Sequence, residues 1–155
     1  MLHTYKQSTY IPNGDILDTA VLGVDIGGKW RLIVSTGKHF KGNDIHILST
    51  ELLEFCKDNN YIYLGVENPD LLSEGNSNTY KALTSIETVS RQYDTKIVRV
   101  DPMLTSRICH RCHLIAKRTK CVFNVFVCAY CNLTVDSDYN ASVNIKERAI
   151  QALKS

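Results

Sequence analysis

Apolar residues in the first part of the chain recur at the spacing of β-strands. Residues 19–26 form a nearly continuous apolar run, which is typical of a central strand covered on both faces of a sheet. Runs over residues 31–35 and 39–48, separated by a Gly-containing turn at 36–38, predict two further strands. These three runs therefore predict the first three strands of a sheet.

The rest of the chain alternates between helical and extended patterns. Ser49 or Thr50 can cap a helix that continues to about Asn59, and residues 61–66 then form a short β-rich run. Three later segments continue the alternation: a helix over residues 79–93, a strand over 96–100 and a helix over 138–153. Strands alternating with helices predict an α/β fold in which helices flank the sheet.

Composition places the chain among ordinary globular proteins. It has 155 residues, of which 44% are apolar and 22% charged, so we expect a single domain over residues 1–155 with a real core. No apolar run approaches the length of a membrane span, and the sequence has no signal-peptide pattern. We therefore expect a cytoplasmic, intracellular protein.

Four of the six cysteines form two Cys-x-x-Cys pairs that are separated by 15 residues. This spacing is typical of a zinc ribbon in which four thiolates bind one structural ion, and it predicts such a ribbon over residues 105–135. The predicted ligands are Cys109, Cys112, Cys128 and Cys131. Cys56 and Cys121 lie outside these pairs. Cys121 could compete for the ion, but the Cys-x-x-Cys spacing favours the four paired sulfurs. The same spacing argues against a secreted protein held together by disulfides.

The ribbon is locally basic although the chain as a whole is not. A net charge of +2 excludes a strongly polycationic nucleic-acid coat, but binding depends on how charge is distributed. Between Pro102 and Val135 the sequence has no acidic residue. Five basic residues in this interval are candidates for binding DNA: Arg107, Arg111, Lys117, Arg118 and Lys120.

Three carboxylates stand at the boundaries of predicted elements. Asp25 lies near the end of the first predicted strand, Glu67 directly follows the run at residues 61–66, and Asp138 opens the final helix. Each has an ordinary structural explanation, as a turn residue, a solvated side chain or a group favoured by the helix dipole. Taken together, they offer the hard oxygen atoms that bind Mg²⁺.

The second half of the chain resembles the C-terminal part of the RuvC-like nuclease domain in TnpB proteins, the transposon-encoded relatives of compact type V CRISPR nucleases. That family has a zinc ribbon followed by a D-x-D-x-N-A-A-x-N-I segment, and residues 136–145 read DSDYNASVNI, with Ser142 replacing the second Ala. Two shorter blocks also match: residues 22–27, LGVDIG, and residues 64–67, LGVE.

The resemblance implies an RNase H-like (RuvC-like) fold, which begins with an antiparallel meander whose first strand is central. It implies that Asp25, Glu67 and Asp138 are catalytic and hold two Mg²⁺ or Mn²⁺ ions roughly 4 Å apart, with Asp136 as the other candidate for the third ligand. The zinc would be structural. The resemblance covers about residues 21–149, whereas the family's N-terminal domains, which grip guide RNA, have no counterpart.

The function we expect is that of a magnesium-dependent DNA endonuclease that acts on branched, flapped or single-stranded DNA. Whether it uses a guide RNA or a guide-binding partner is left open by the sequence. One alternative is a Holliday-junction resolvase, which would act as a homodimer because two symmetric cuts need two sites. Another is an inactive zinc-ribbon module that binds nucleic acid. A ribbon that only holds other proteins together would leave the blocks around Asp25 and Glu67 unexplained.

Overall fold

A five-stranded mixed sheet forms the centre of the computed structural model, which describes residues 14–71, 77–115 and 124–155. The strands in these ranges are β1 Val21–Gly27, β2 Arg31–Val34, β3 His39–Lys41, β4 Tyr63–Glu67, β5 Lys96–Val100, β6 Val125–Val127 and β7 Thr134–Asp136. The helices are α1 Gly14–Ala20, α2 Ile45–Asp58, α3 Ser77–Ser90 and α4 Ser137–Lys154, with a 3₁₀ turn at Pro69–Leu71.

The order of strands in the main sheet is β3-β2-β1-β4-β5. Strand β1 is antiparallel to β2, and β2 is antiparallel to β3, whereas β1, β4 and β5 run parallel. The predicted meander with a central first strand is confirmed. So is the predicted fold class, a mixed sheet flanked by helices, with a separate two-stranded ribbon formed by β6 and β7.

Two of the predicted strand boundaries are wrong. Thr19 and Ala20 end helix α1 instead of opening the first strand. The third strand stops at Lys41, because Asp44 accepts hydrogen bonds from the backbone N–H groups of His46 at 2.9 Å and Ile47 at 3.2 Å. This N-cap lies five residues before Ser49 and six before Thr50, the two predicted caps.

The two faces of the sheet pack against different helices. Leu22 and Val24 of β1 lie in the core that includes buried residues of α2 and α3. Val21 belongs to a second core with Ile145 and Ala149 of α4. Successive residues of a strand point to opposite faces, so Gly23 and Asp25 share the α4 face with Val21. No helix in the described ranges combines the length and apolar character needed to cross a membrane.

Helix α4 lies unusually close to β1 and β4 because both strands carry glycine beneath it. A Cβ atom at Gly23 would lie 2.1 Å from the backbone oxygen of Ser142, and one at Gly65 would lie 2.8 Å from the Cβ of Ala149. Real Cβ atoms do not approach other heavy atoms this closely. The absence of side chains at Gly23 and Gly65 therefore sets the distance between the helix and the sheet.

We expect Gly23→Ala to displace α4, because the added methyl group would meet backbone rather than a movable side chain. Overpacking of this kind should lower the free energy of unfolding by about 3 kcal/mol or more, measured by urea denaturation. Gly28→Ala is the matched control, since a Cβ atom there meets nothing within 4 Å. Equal stability of the two variants would contradict the close packing of α4.

Candidate active site and metal centre

Asp25 and Glu67 lie at the ends of two neighbouring parallel strands. In the register of β1 and β4, Gly23 pairs with Gly65, and each acid stands two residues beyond the glycine of its own strand. Residues two apart point to the same face, and adjacent strands are about 4.8 Å apart. The two carboxylates therefore leave the sheet side by side on the face covered by α4.

Asp138 reaches the same region from helix α4. It precedes Ser142 by four residues, which is about one helical turn, and Ser142 is the residue packed against Gly23. The side chain of Asp138 is close enough to that of Asp25 to raise its pKa. Three acids that are far apart in the sequence thus come together from two strands and one helix.

Asp136 interacts with the backbone of α4 instead. Its Oδ1 accepts hydrogen bonds from the N–H groups of Asp138 at 2.9 Å and Tyr139 at 3.0 Å, so Asp136 is the N-cap of the helix. A carboxylate at this position stabilises the helix because it satisfies N–H groups that lack partners within the helix. The geometry favours Asp138 over Asp136 as the third member of the acidic cluster.

The cluster strongly disfavours ionisation of its central member. Burial raises the pKa of Asp25 from 3.8 to about 8, and the charges of Asp138 and Glu67 contribute to this increase, while the nearby Arg31 opposes it. Asp25 therefore holds a proton at neutral pH when no cation neutralises the cluster. A bound cation would replace that proton.

Glu67 is held by partners that the sequence analysis did not identify. Burial raises the pKa of Glu67, whereas a hydrogen bond donated by the Thr105 hydroxyl and the charge of Arg148 lower it. Thr105 is 3% exposed. No motif distinguishes Thr105 in the sequence, because only the fold brings residue 105 next to strand β4.

Two buried asparagines of α4 attach the ribbon to this site. The side-chain amide of Asn144 donates to the backbone oxygens of Thr105 at 2.8 Å and Ile108 at 2.7 Å. Asn140 donates to the Ile108 oxygen at 2.8 Å and accepts from the His110 N–H at 2.9 Å. The segment that enters the first knuckle is therefore fixed to the helix that carries Asp138.

The four paired cysteines form a compact cluster. Their sulfur atoms all lie within 4.8 Å of one another, with Cys109 Sγ 3.6 Å from Cys131 Sγ and Cys112 Sγ 3.5 Å from Cys128 Sγ. These separations are close to those of four sulfurs about 2.3 Å from one tetrahedral zinc ion. The residues therefore fit a closed structural zinc site, whose four thiolates leave no position for substrate.

Several contacts stabilise the thiolates and the small ribbon core. Burial raises the pKa of Cys131, but hydrogen bonds from the Leu133 backbone and from Arg111 outweigh it and bring the pKa to about 6. Arg111 also donates to the backbone oxygen of Cys131, so it links the two knuckles. Phe126 is fully buried beneath the cysteines.

The predicted nucleic-acid-binding residues are only partly within the described ranges. Arg107 and Arg111 are both exposed, and Arg111 makes the knuckle contact described above. Lys117, Arg118 and Lys120 lie outside the described residues, as does Cys121. Their proposed contact with DNA stays a prediction.

The acidic cluster fits hard divalent cations. Carboxylate oxygens are the ligands that Mg²⁺ and Mn²⁺ prefer, and burial together with the neighbouring charges of Asp138 and Glu67 raises the pKa of Asp25. Within the described part of the chain, only the cysteines form a group of three or more candidate ligands as tight as 4.8 Å.

Comparison with known proteins finds one family model that matches part of the chain and several solved structures that share its fold. Residues 80–145 match the family described as "Cas12f1-like, TNB domain". The structure titled "Cryo-EM structure of the Cas12f1-sgRNA-target DNA complex" is 18% identical with a TM-score of 0.65, and the match covers 88% of this chain and 51% of that one. None of the curated protein sequences compared with the chain matches it.

Two further structures share the fold over most of this chain. A "CRISPR-Cas12f Ternary Complex" matches with 18% identity and a TM-score of 0.64, covering 81% of this chain and 38% of that one. The "mini-RNA-guided endonuclease CRISPR-Cas_phi3" matches with 18% identity and a TM-score of 0.52, covering 68% and 19%. The chain thus spans about half or less of the length of these proteins. The resemblance to compact type V CRISPR nucleases is confirmed.

We expect Cys128→Ser to lose the bound zinc and to lower the melting temperature, because Phe126 is the one fully buried large apolar side chain among the described ribbon residues and so small a core depends on the metal. Zinc per chain is measured by mass spectrometry after gel filtration. Cys56→Ser is the control, since Cys56 is buried in the main core and should leave the zinc content unchanged. One zinc per chain and an unaltered melting temperature in Cys128→Ser would refute the site.

The pKa of Asp25 also predicts how stability depends on pH. A folded-state pKa of about 8 against an ordinary value near 4 means that the folded protein binds an extra proton between these values, so stability falls as pH rises from about 4 to 8. Asp25→Asn should remove this contribution and should melt at a higher temperature than the unmodified chain at pH 8, without added magnesium. If the melting temperatures of both proteins changed by the same amount between pH 5 and pH 8, the clustering of the acids would be contradicted.

Proposed function

We propose that this chain is a metal-dependent DNA endonuclease, because it shares the fold of compact type V CRISPR nucleases and its residues 80–145 match the Cas12f1-like TNB domain. It hydrolyses phosphodiester bonds, and its substrates are branched, flapped or single-stranded DNA. The family match supports a nucleic-acid-binding or nuclease role in general terms. The reaction, the metal ions and the substrate are our proposals.

One observation supports cleavage above the other roles: the convergence of Asp25, Glu67 and Asp138. Close packing of α4 on β1 brings Asp138 to Asp25. Burial of Asp25 and the charges of Asp138 and Glu67 raise the pKa of Asp25. A protein that only bound nucleic acid would gain nothing from three carboxylates that repel both one another and the phosphate backbone. The arrangement is understandable if the acids hold cations during the reaction.

In the proposed mechanism, Asp25, Glu67 and Asp138 would hold the cations, and the Thr105 hydroxyl keeps Glu67 oriented through its hydrogen bond. Bound magnesium ions would supply an activated water molecule and stabilise the leaving oxygen. Asp136 keeps the first turn of α4 in place, and this orients Asp138. The cysteine-bound zinc takes no part in the chemistry, because its four ligand positions are filled.

The ribbon is the proposed surface for DNA. It carries Arg107 and Arg111 within the described residues, and Asn140 and Asn144 fix it beside the acids. One of the similar structures is a Cas12f1 complex with single guide RNA and target DNA. We propose DNA as the partner of this chain, with RNA or a guide-binding protein as a further partner.

The decisive test compares isosteric variants of the acids. Asp25→Asn and Asp138→Asn should reduce the rate of Mg²⁺- or Mn²⁺-dependent cleavage by at least about 10³-fold, as expected when a cation ligand is lost. Asp136→Asn should retain cleavage, because asparagine is also a good N-cap. The substrates are labelled single-stranded, duplex, flapped and four-way-junction DNA.

Zinc content and DNA affinity of each variant serve as controls for folding. Binding of DNA by the unmodified chain without metal-dependent cleavage of any substrate would favour the inactive module. Paired symmetric cuts restricted to four-way junctions would favour the dimeric resolvase. Loss of cleavage in Asp136→Asn with full activity in Asp138→Asn would reverse the assignment of the third acid.

A further inference from the structure

Arg31 places a positive charge inside the acidic cluster. It is the first residue of β2 and pairs with Gly27 across the turn that follows Asp25. Its Nη2 donates to Oδ2 of Asp138, and its charge also acts on Asp25. Without divalent cations, the guanidinium is therefore the positive group that the structure places between β1 and α4.

The contact between Arg31 and Asp138 is incomplete as an ion pair. One nitrogen of the guanidinium meets the carboxylate, whereas its Nε is buried and has no hydrogen-bond partner. Arginine and carboxylate groups that stabilise a fold usually form two parallel hydrogen bonds, and a buried donor without a partner costs about 1–3 kcal/mol. Arg31 thus retains an unused donor that is suited to a second anion.

The turn before Arg31 is held in an unfavourable conformation. Lys29 and Trp30 have φ angles of 47° and 62°, in the left-handed region that residues other than glycine seldom occupy. Trp30 packs against the main core, which keeps the turn in place. This tight three-residue turn, Gly28 to Trp30, puts Arg31 directly opposite Gly27, whereas a longer or relaxed turn would move it away from Asp25.

The charges of the cluster explain why an arginine would be useful there. Three ionised carboxylates that hold two divalent cations would carry a net charge of +1. A phosphodiester carries one negative charge and gains a second when a water molecule that has lost its proton to solvent adds to phosphorus. The guanidinium of Arg31, together with that of Arg148, whose charge acts on Glu67, would supply the positive charge that is still needed.

We propose that Arg31 has two alternating partners: the Asp138 carboxylate before the metal ions bind, and a non-bridging oxygen of the scissile phosphate afterwards. This inference rests on the nuclease function proposed above. In the first state Arg31 competes with divalent cations for Asp138, so it weakens metal binding. In the second state it is a catalytic residue, because its guanidinium stabilises negative charge on the reacting phosphate.

The two roles predict effects of opposite sign in one variant. Arg31→Gln should bind Mn²⁺ at least roughly threefold more tightly than the unmodified chain, because the competing positive charge is gone. The affinity is measured on the zinc-loaded protein from the electron paramagnetic resonance signal of free Mn²⁺. At saturating Mn²⁺, its cleavage rate on single-stranded DNA should fall about 10²-fold. Arg31→Lys should keep Mn²⁺ affinity near that of the unmodified chain and recover part of the rate.

Arg99→Gln is the matched control, because Arg99 is also a strand arginine and pairs with Glu87 and Asp70 away from the acids. It should change neither Mn²⁺ affinity nor cleavage. Weaker Mn²⁺ binding in Arg31→Gln would show that Arg31 only supports the fold, and an unchanged rate at saturation would exclude the phosphate contact. If Arg31→Gln does not fold, a loss of Mn²⁺ affinity in a folded Arg31→Lys overturns the proposal in the same way.

Failure of the underlying nuclease function would be recognisable separately. In that case the unmodified chain would show no Mn²⁺ binding that Asp25→Asn removes, and no cleavage to compare. If the unmodified chain binds Mn²⁺ and cleaves DNA, and Arg31→Gln does both equally well, the nuclease function stands. Only the role assigned to Arg31 would then be overturned.

Discussion

The close contact between α4 and the two glycine-containing strands is the constraint on which the rest of the structure depends. Any side chain at Gly23 would collide with the Ser142 backbone, so the helix can rest on the sheet only where the strand has no Cβ atom. That contact fixes the distance between α4 and the sheet, and this distance decides whether Asp138 comes close to Asp25. The position of the acids is thus a result of backbone packing more than of interactions among the acids, which oppose it.

The ribbon and the sheet are connected through the same helix. Asn140 and Asn144 hold the backbone that leads into the first knuckle, and Thr105 of that segment donates to Glu67. The cysteine cluster is therefore more than a separate appendage: its attachment points include a residue that orients one acid. The short polar segment at residues 138–144 contributes to both parts of the fold. Asp138 belongs to the acidic cluster, and Asn140 and Asn144 hold the backbone of the ribbon.

The sequence was most informative where chemistry imposes a spacing or burial imposes a pattern. The cysteine pairs, the apolar run around Val24 and the final amphipathic helix predicted the ribbon and the mixed sheet. Capping was harder, because Asp44 outcompeted Ser49 and Thr50, which instead donate to backbone oxygens one turn earlier. Arg31 and Thr105 could not be found at all, since their importance arises from contacts with residues far away in the chain.

The parallel pairing of β1 with β4 has a consequence for how the protein is made. Strand β1 cannot complete its pairing until β4 has been synthesised, and the third carboxylate arrives only when α4, later still, docks across both strands. A partly translated chain can carry a finished meander and still lack the acidic pocket. The order of elements along the polypeptide therefore leaves the acidic cluster unassembled until α4 has been synthesised.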